Sequence, residues 1–162
     1  MTETNAVRRG AGKSLSLARD IAWIAPYMAV PFVPLGRSMR GADCRGLAYL
    51  ILDRETGVYV PEPEDLYAGT GRRDAADMAA VVRSELACWR RVDPDAAGGF
   101  PLFSVLLFAI GGLPTHVAVS MGGRAFIHTQ KGYGVRTGHL DDVEPGEGDW
   151  GSRLQGAFVY DH

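Results

Sequence analysis

The chain has 162 residues, enough for one domain with a substantial core, and its 46% apolar and 22% charged residues sit near the average of globular proteins. A formal charge of −2 provides no field for gripping nucleic acid or anionic lipid, so neither is expected as a partner. Two cysteines, Cys44 and Cys88, make no disulfide framework and are expected to be reduced.

Residues 1–13 are polar, carry Arg8, Arg9 and Lys13 and show no apolar periodicity, which predicts a flexible tail ahead of a single domain over 14–162. No apolar core follows the basic residues, so no secretory signal is read there. "GAGKS" at 10–14 fails as a phosphate loop, because Val7 stands where that loop needs glycine and no strand precedes it. A short helix is predicted from about Ser14 to Trp23, with Leu17, Ile21 and Ile24 spaced along one face. The uncharged stretch from Ile21 to Gly36 is interrupted by Pro26, Pro31 and Pro34 and is too short to cross a membrane as a helix.

A second helix is predicted to open at Asp43, a good N-cap, to turn Leu47, Leu50 and Ile51 toward a core, and to stop at Gly57. A third runs from about Asp74 to Arg91, burying Met78, Val82, Leu86 and Trp89, leaving Arg83, Glu85 and Arg90 in water, and ending at Asp93-Pro94. Cys88, beside Trp89, reads as a core residue. From Phe100 onward the pattern is strand-like: Leu102 to Ile110, Thr115 to Met121, Arg124 to His128, Gly134 to Arg136 and Leu154 to Tyr160. Helices followed by a meander of strands predict an α+β fold, with helices packed on an antiparallel sheet.

The chemistry starts at Cys44. In the first turn of its helix, the backbone N–H groups place partial positive charge beside the sulfur, which favours thiolate, and they offer a place for an oxyanion. His116 and His128 flank "VAVSMGGRAFI". A three-residue loop over Met121 to Gly123 pairs Ser120 with Arg124, sets His116 directly opposite His128, and gathers Val117, Val119, Ala125 and Ile127 on one apolar face. A thiol, a base and a group that orients the base make the constellation of a cysteine hydrolase. No two histidines stand at helical spacing and no cysteine pair has finger spacing, so neither metal nor cofactor is expected; His139 and His162 read as surface residues.

"VPFVPLGRSMRGADCRGL", Val30 to Leu47, resembles the loop and helix start around the nucleophile of the NlpC/P60 cysteine peptidases, most closely the subset found in tails of bacteriophages and gene transfer agents. "HVAVSMGGRAFIHTQKGYGV" is similar to the family's second block, and "DWGSRLQGAFVY" to the tail subset's closing segment. The resemblance implies a papain-like α+β core. It also implies a Cys44 nucleophile, a His116 general base and a His128 that orients it, with Phe32, Ser38, Asp43 and Arg45 as substrate-binding positions. It departs at Phe32, Leu35 and Arg45, where many members have tyrosine, glycine and a small residue, and at Ser104, where aspartate is frequent. The implied substrate is the peptide stem of peptidoglycan, cut at the γ-D-glutamyl to diamino-acid bond. The implied partners are tail hub or baseplate proteins, and the implied location is a virion or gene-transfer-agent tail. A silent structural plug of a tail tip is the alternative from another class, since fold does not imply activity. Lipid-modifying acyltransferases of the related permuted group have histidine before cysteine, whereas Cys44 precedes His116 here.

Overall fold

The computed structural model describes residues 21–62 and 75–161. The predicted tail, "GAGKS", and the first helix up to Asp20 lie outside them. A 3-10 helix over Ala22–Tyr27, with Pro26 inside it, takes the place of the predicted helix end. Two very short strands follow, β1 (Arg37–Ser38) and β2 (Gly41–Ala42), then helix α1 (Cys44–Thr56). Its start and stop are those that the sequence signals. The Asp43 carboxylate accepts the Gly46 N–H at its N-terminus, and Gly57 closes it at φ 72°, a left-handed position that glycine adopts without penalty.

The loop before α1 is glycine-rich because the helix start is pressed against it. A Cβ on Gly46 would lie 1.8 Å from the Gly36 carbonyl oxygen, so only glycine lets the two backbones meet. Leu35, where many members of the resembling family have glycine, is held at φ 59°. The Asp43 carboxylate accepts its N–H at 2.9 Å, one of the contacts that holds this conformation, which is costly for a leucine.

Helix α2 (Ala75–Leu86) is shorter than predicted. Arg90–Val92, expected at its end, instead forms strand β3 and pairs antiparallel with the last strand. The helix stops at Leu86, so Cys88 falls in a turn and is exposed rather than in the core. Trp89 is buried as expected, but from the turn, stacked on Tyr49 at 5.6 Å.

The remaining strands of the main sheet are β4 (Val105–Ile110), β5 (Leu113–Ser120), β6 (Ala125–Gln130) and β7 (Gly134–His139). A small hairpin, β8 (Val143–Glu144) and β9 (Gly148–Asp149), leads into a single helical turn α3 (Trp150–Arg153) and the final strand β10 (Leu154–Val159). The six-stranded sheet has the order β3-β10-β4-β5-β6-β7, and every pairing in it is antiparallel. Strand periodicity sorts its side chains cleanly. Val105, Leu107, Val117, Val119 and Ile127 join Leu47, Ile51, Val82 and Leu86 in one core under the helices. Their alternates Leu106, Phe108, Ala118 and Phe126 join Trp150 and Leu140 in a second core on the other face. Both faces are covered, which is why the strands read as continuous apolar runs.

The β5–β6 register differs from the expected one. Val119 pairs with Ile127 and Ser120 with Phe126, two positions away from the pairing of Ser120 with Arg124. The Met121 N–H bonds to the Ala125 carbonyl at 2.9 Å, so the closing turn spans Gly122 to Arg124, one position later than expected. Because side chains alternate with period two, a slip of two leaves every residue on its expected face.

Candidate active site

Asp43 decides where Cys44 sits. Its side chain caps α1 through Gly46 and ties the Leu35 loop to the same turn. Cys44 is therefore held at the first helical position, above the sheet, with its Sγ 3.8 Å from the Thr115 carbonyl of β5. At that point β5 carries a bulge. Phe108 pairs with His116 but Ala109 pairs with Pro114, leaving Thr115 as the extra residue. A bulge re-aims the side chain beside it, and here that side chain is His116.

Cys44 and His116 line one cleft of about 330 Å³. Phe32, Ile110 and Tyr133 supply its apolar surface, while Thr115 and the end of β6 with the turn beyond it, Thr129 to Lys131, supply polar groups. None of its lining residues is a carboxylate, and Lys131 is the one with a permanent charge. Behind the cleft, His116 Nε2 and His128 Nδ1 are 2.8 Å apart, and both residues are buried.

The electrostatics leave thiol and imidazoles neutral at rest. Burial pushes the Cys44 pKa up to about 11, the neighbouring Asp43 carboxylate adds to the rise, and backbone N–H groups of Val117, Arg45 and Cys44 offset only part of it. Desolvation therefore opposes the partial positive charge of the helix terminus at this sulfur. Burial also lowers His116 to about 3, with the His128 and Arg153 charges adding to it, and lowers His128 to about 4, with Arg136 and Arg153 adding.

Comparison with solved structures then places the architecture. The chain matches the NlpC/p60 domain of the peptidoglycan hydrolase SagA at a TM-score of 0.51 and 21% identity, over 88% of this chain and 97% of that one. The fold is that of NlpC/P60 domains. A lipoprotein-like NLP/P60 protein of Staphylococcus aureus matches at 0.55 and 21% identity, over 91% of this chain, and a Bacillus cereus NlpC/P60 protein at 0.53 and 22%, over 83%. The chain spans only 42% and 36% of those two longer proteins. No family model and no curated protein sequence matches it.

On this NlpC/P60 fold, the positions expected to touch substrate separate into two groups. Phe32 lines the cleft. Asp43, Ser38 and Arg45 do not: Asp43 is spent on capping, and Ser38 Oγ accepts the Arg40 N–H at 3.2 Å within the β1–β2 hairpin. The Arg45 side chain is buried in an ion-pair network. Its guanidinium binds Glu85 of α2 through two bonds of 2.7 Å, reaches Glu62 at 2.9 Å and lies 4.7 Å from the Tyr49 ring centroid. Arg37 binds the other oxygen of Glu62 at 2.8 Å. Arg45 is thus a strut between α1 and α2, and Glu85, expected in water, is its largely shielded partner.

Two residues beside the histidines, both within the "DWGSRLQGAFVY" segment, are not among the expected site residues. Trp150 lies under both imidazoles, with ring centroids 5.4 Å from His116 and 5.0 Å from His128. Arg153 lies over the Trp150 ring at 3.8 Å. The available signal was the Asp149 N-cap, which accepts the Ser152 N–H and opens a single helical turn that puts positions 150 and 153 on one side. Among the described residues no group of three or more His, Cys, Asp or Glu side chains converges as metal ligands would, and no helix is long and apolar enough to cross a membrane.

Proposed function

We propose that this chain is a cysteine peptidase that hydrolyses an amide in the peptide stem of peptidoglycan. The observation that carries the reading is that Cys44, at a helix start, and His116, paired with His128, line or back a single cleft on an NlpC/P60 fold. With a proton on His116 Nε2 donated to His128 Nδ1, the Nδ1 lone pair of His116 is left to take the Cys44 thiol proton. The thiolate attacks the scissile carbonyl, and N–H groups at the start of α1 receive the oxyanion. Collapse breaks the C–N bond as His116 returns its proton to the leaving amine. Water, deprotonated by the same imidazole, then cleaves the thioester and restores the thiol.

The finer reading is a γ-D-glutamyl to diamino-acid endopeptidase carried by a phage or gene-transfer-agent tail, docked on hub or baseplate proteins and acting at the cell wall. The sequence resemblance to the tail subset supports the location. The cleft chemistry supports the bond: a γ-linked glutamyl residue keeps its α-carboxylate free beside the scissile amide, and Lys131 is a cation in a cleft with no competing carboxylate. Digestion of purified muropeptides followed by mass spectrometry tests this. Cleavage at that bond by the wild-type chain and none by Cys44→Ala is expected; cleavage unchanged in Cys44→Ala removes the assignment.

A second reading is a catalytically silent tail-tip protein, because a shared fold does not fix activity and Phe32, Leu35 and Arg45 depart from the residues common in the resembling family. The same digest separates the two, since a silent protein leaves every muropeptide intact.

A further inference from the structure

We propose that Arg153 is a positioning residue for the histidine pair, acting through Trp150. The inference rests on the reading of Cys44, His116 and His128 as the catalytic set and adds two residues to it. Trp150 is 2% exposed, and Phe108 and Phe126 pack against it at 5.0 and 5.3 Å between centroids. The same two phenylalanines touch the imidazoles, Phe108 on His116 and Phe126 on His128. The three rings together leave the imidazoles little freedom except to pair with each other, and the pairing sets which nitrogen of His116 carries the proton.

Arg153 holds the indole in place. Its guanidinium carbon is 3.8 Å from the Trp150 centroid, a cation on a π face, and the side chain is almost wholly buried. Glu147 and Glu144 bind its terminal nitrogens at 2.8 and 3.0 Å, which tethers the guanidinium to β8 and the β8–β9 turn. Its Nε is buried without a hydrogen-bond partner among the described residues. A buried donor left unmade is a cost that simple packing does not explain. Placing the cation on the indole gives a reason for it.

Charge acts along the same line. The groups around the histidines are Cys44 from α1, Lys131 at the cleft rim, Arg136 from β7 and Arg153 from α3, with Glu144 and Glu147 behind Arg153. Arg153 disfavours imidazolium at rest. His116 is then a neutral acceptor, and the charge it gains on taking the thiol proton is shared through the hydrogen bond to His128.

The test is an NMR titration of the two imidazoles in the full chain carrying Cys44→Ala, where ring nitrogen shifts report tautomer and midpoint without turnover. Arg153→Gln is expected to raise the His116 and His128 midpoints by about one pH unit, whereas Arg153→Lys keeps them near the wild-type values. Trp150→Phe is expected to turn a single tautomer per ring into a mixture. Wild-type tautomers and midpoints in Arg153→Gln overturn the proposal, even if that variant melts earlier. Should Arg153→Gln not fold, a single wild-type tautomer in Trp150→Phe overturns it. The readout needs no cleavage, so a protein that cuts no muropeptide still reports on Arg153. Conversely, an active enzyme with unmoved titrations loses this inference alone.

Discussion

His116 Nε2 binds His128 Nδ1 at 2.8 Å although the two residues do not face each other across the β5–β6 ladder. Continuing the pairing of Val119 with Ile127 would set His116 opposite Gln130, so the hydrogen bond is diagonal, made across the sheet face that both imidazoles share with Trp150. The Thr115 bulge, immediately before His116, is the local device that allows it.

Removing the diagonal partner should cost activity more than stability. His128→Ala is expected to lower kcat on the order of 10²- to 10⁴-fold, as the loss of an orienting group does in nucleophile–histidine systems. His128→Asn keeps a side-chain amide within reach of His116 Nε2 and should recover part of it. Steady-state kinetics on a stem peptide read both; equal rates for His128→Ala and the wild type would remove His128 from the mechanism.

Asp43 works in two directions on its neighbour. Its carboxylate caps α1 and holds Leu35, and it also raises the Cys44 pKa. Asp43→Asn keeps an acceptor for the Gly46 N–H but loses the charge and the second acceptor oxygen. The thiol midpoint should fall below about 11, while stability drops by about 1 kcal/mol. Iodoacetamide rates against pH measure the first and urea denaturation the second. A midpoint that stays put shows that the carboxylate does not couple to the sulfur.

Arg45 is buried and its partner Glu85 largely shielded, so breaking the pair should be worse than deleting it. Arg45→Met leaves the Glu85 carboxylate shielded without its bidentate partner and is expected to cost about 3–5 kcal/mol. Arg45→Met with Glu85→Leu should recover most of that loss. KM for a stem peptide should stay level in the double variant, because the Arg45 side chain is turned to α2 and not to the cleft. A raised KM at unchanged stability would return Arg45 to substrate binding.

The histidine pair also sets a pH limit on stability. Both folded-state values, about 3 for His116 and about 4 for His128, lie below the ordinary 6.5. The unfolded chain therefore binds protons first as pH falls. The stabilisation is complete above about 6.5 and is lost progressively toward 4 and 3. Urea midpoints should decline between pH 7 and 5, where carboxylates are still ionised, and His128→Asn should decline less steeply. Parallel curves for the two proteins would mean that His128 titrates normally.

Much of this molecule is written locally. The Asp43 cap, the Gly57 stop, the alternation that sends Val117 and Val119 one way and Ala118 the other, and the placement of both histidines on one face follow from short-range rules that need no partner. Even the mistaken hairpin loop preserved the faces, because a two-residue slip is invisible to a period of two. Contacts between distant segments obey no such rule. Glu85 looked like a wet helix residue until α2 met α1 and gave it Arg45; Cys88 looked buried until the chain left the helix at Leu86 for β3. The Cys44 thiol shows the limit most directly. Its position at a helix N-terminus was readable from Asp43-Cys44, but its protonation was not. Desolvation depends on what the rest of the chain packs around the sulfur, and here that burial opposes the pull of the helix terminus.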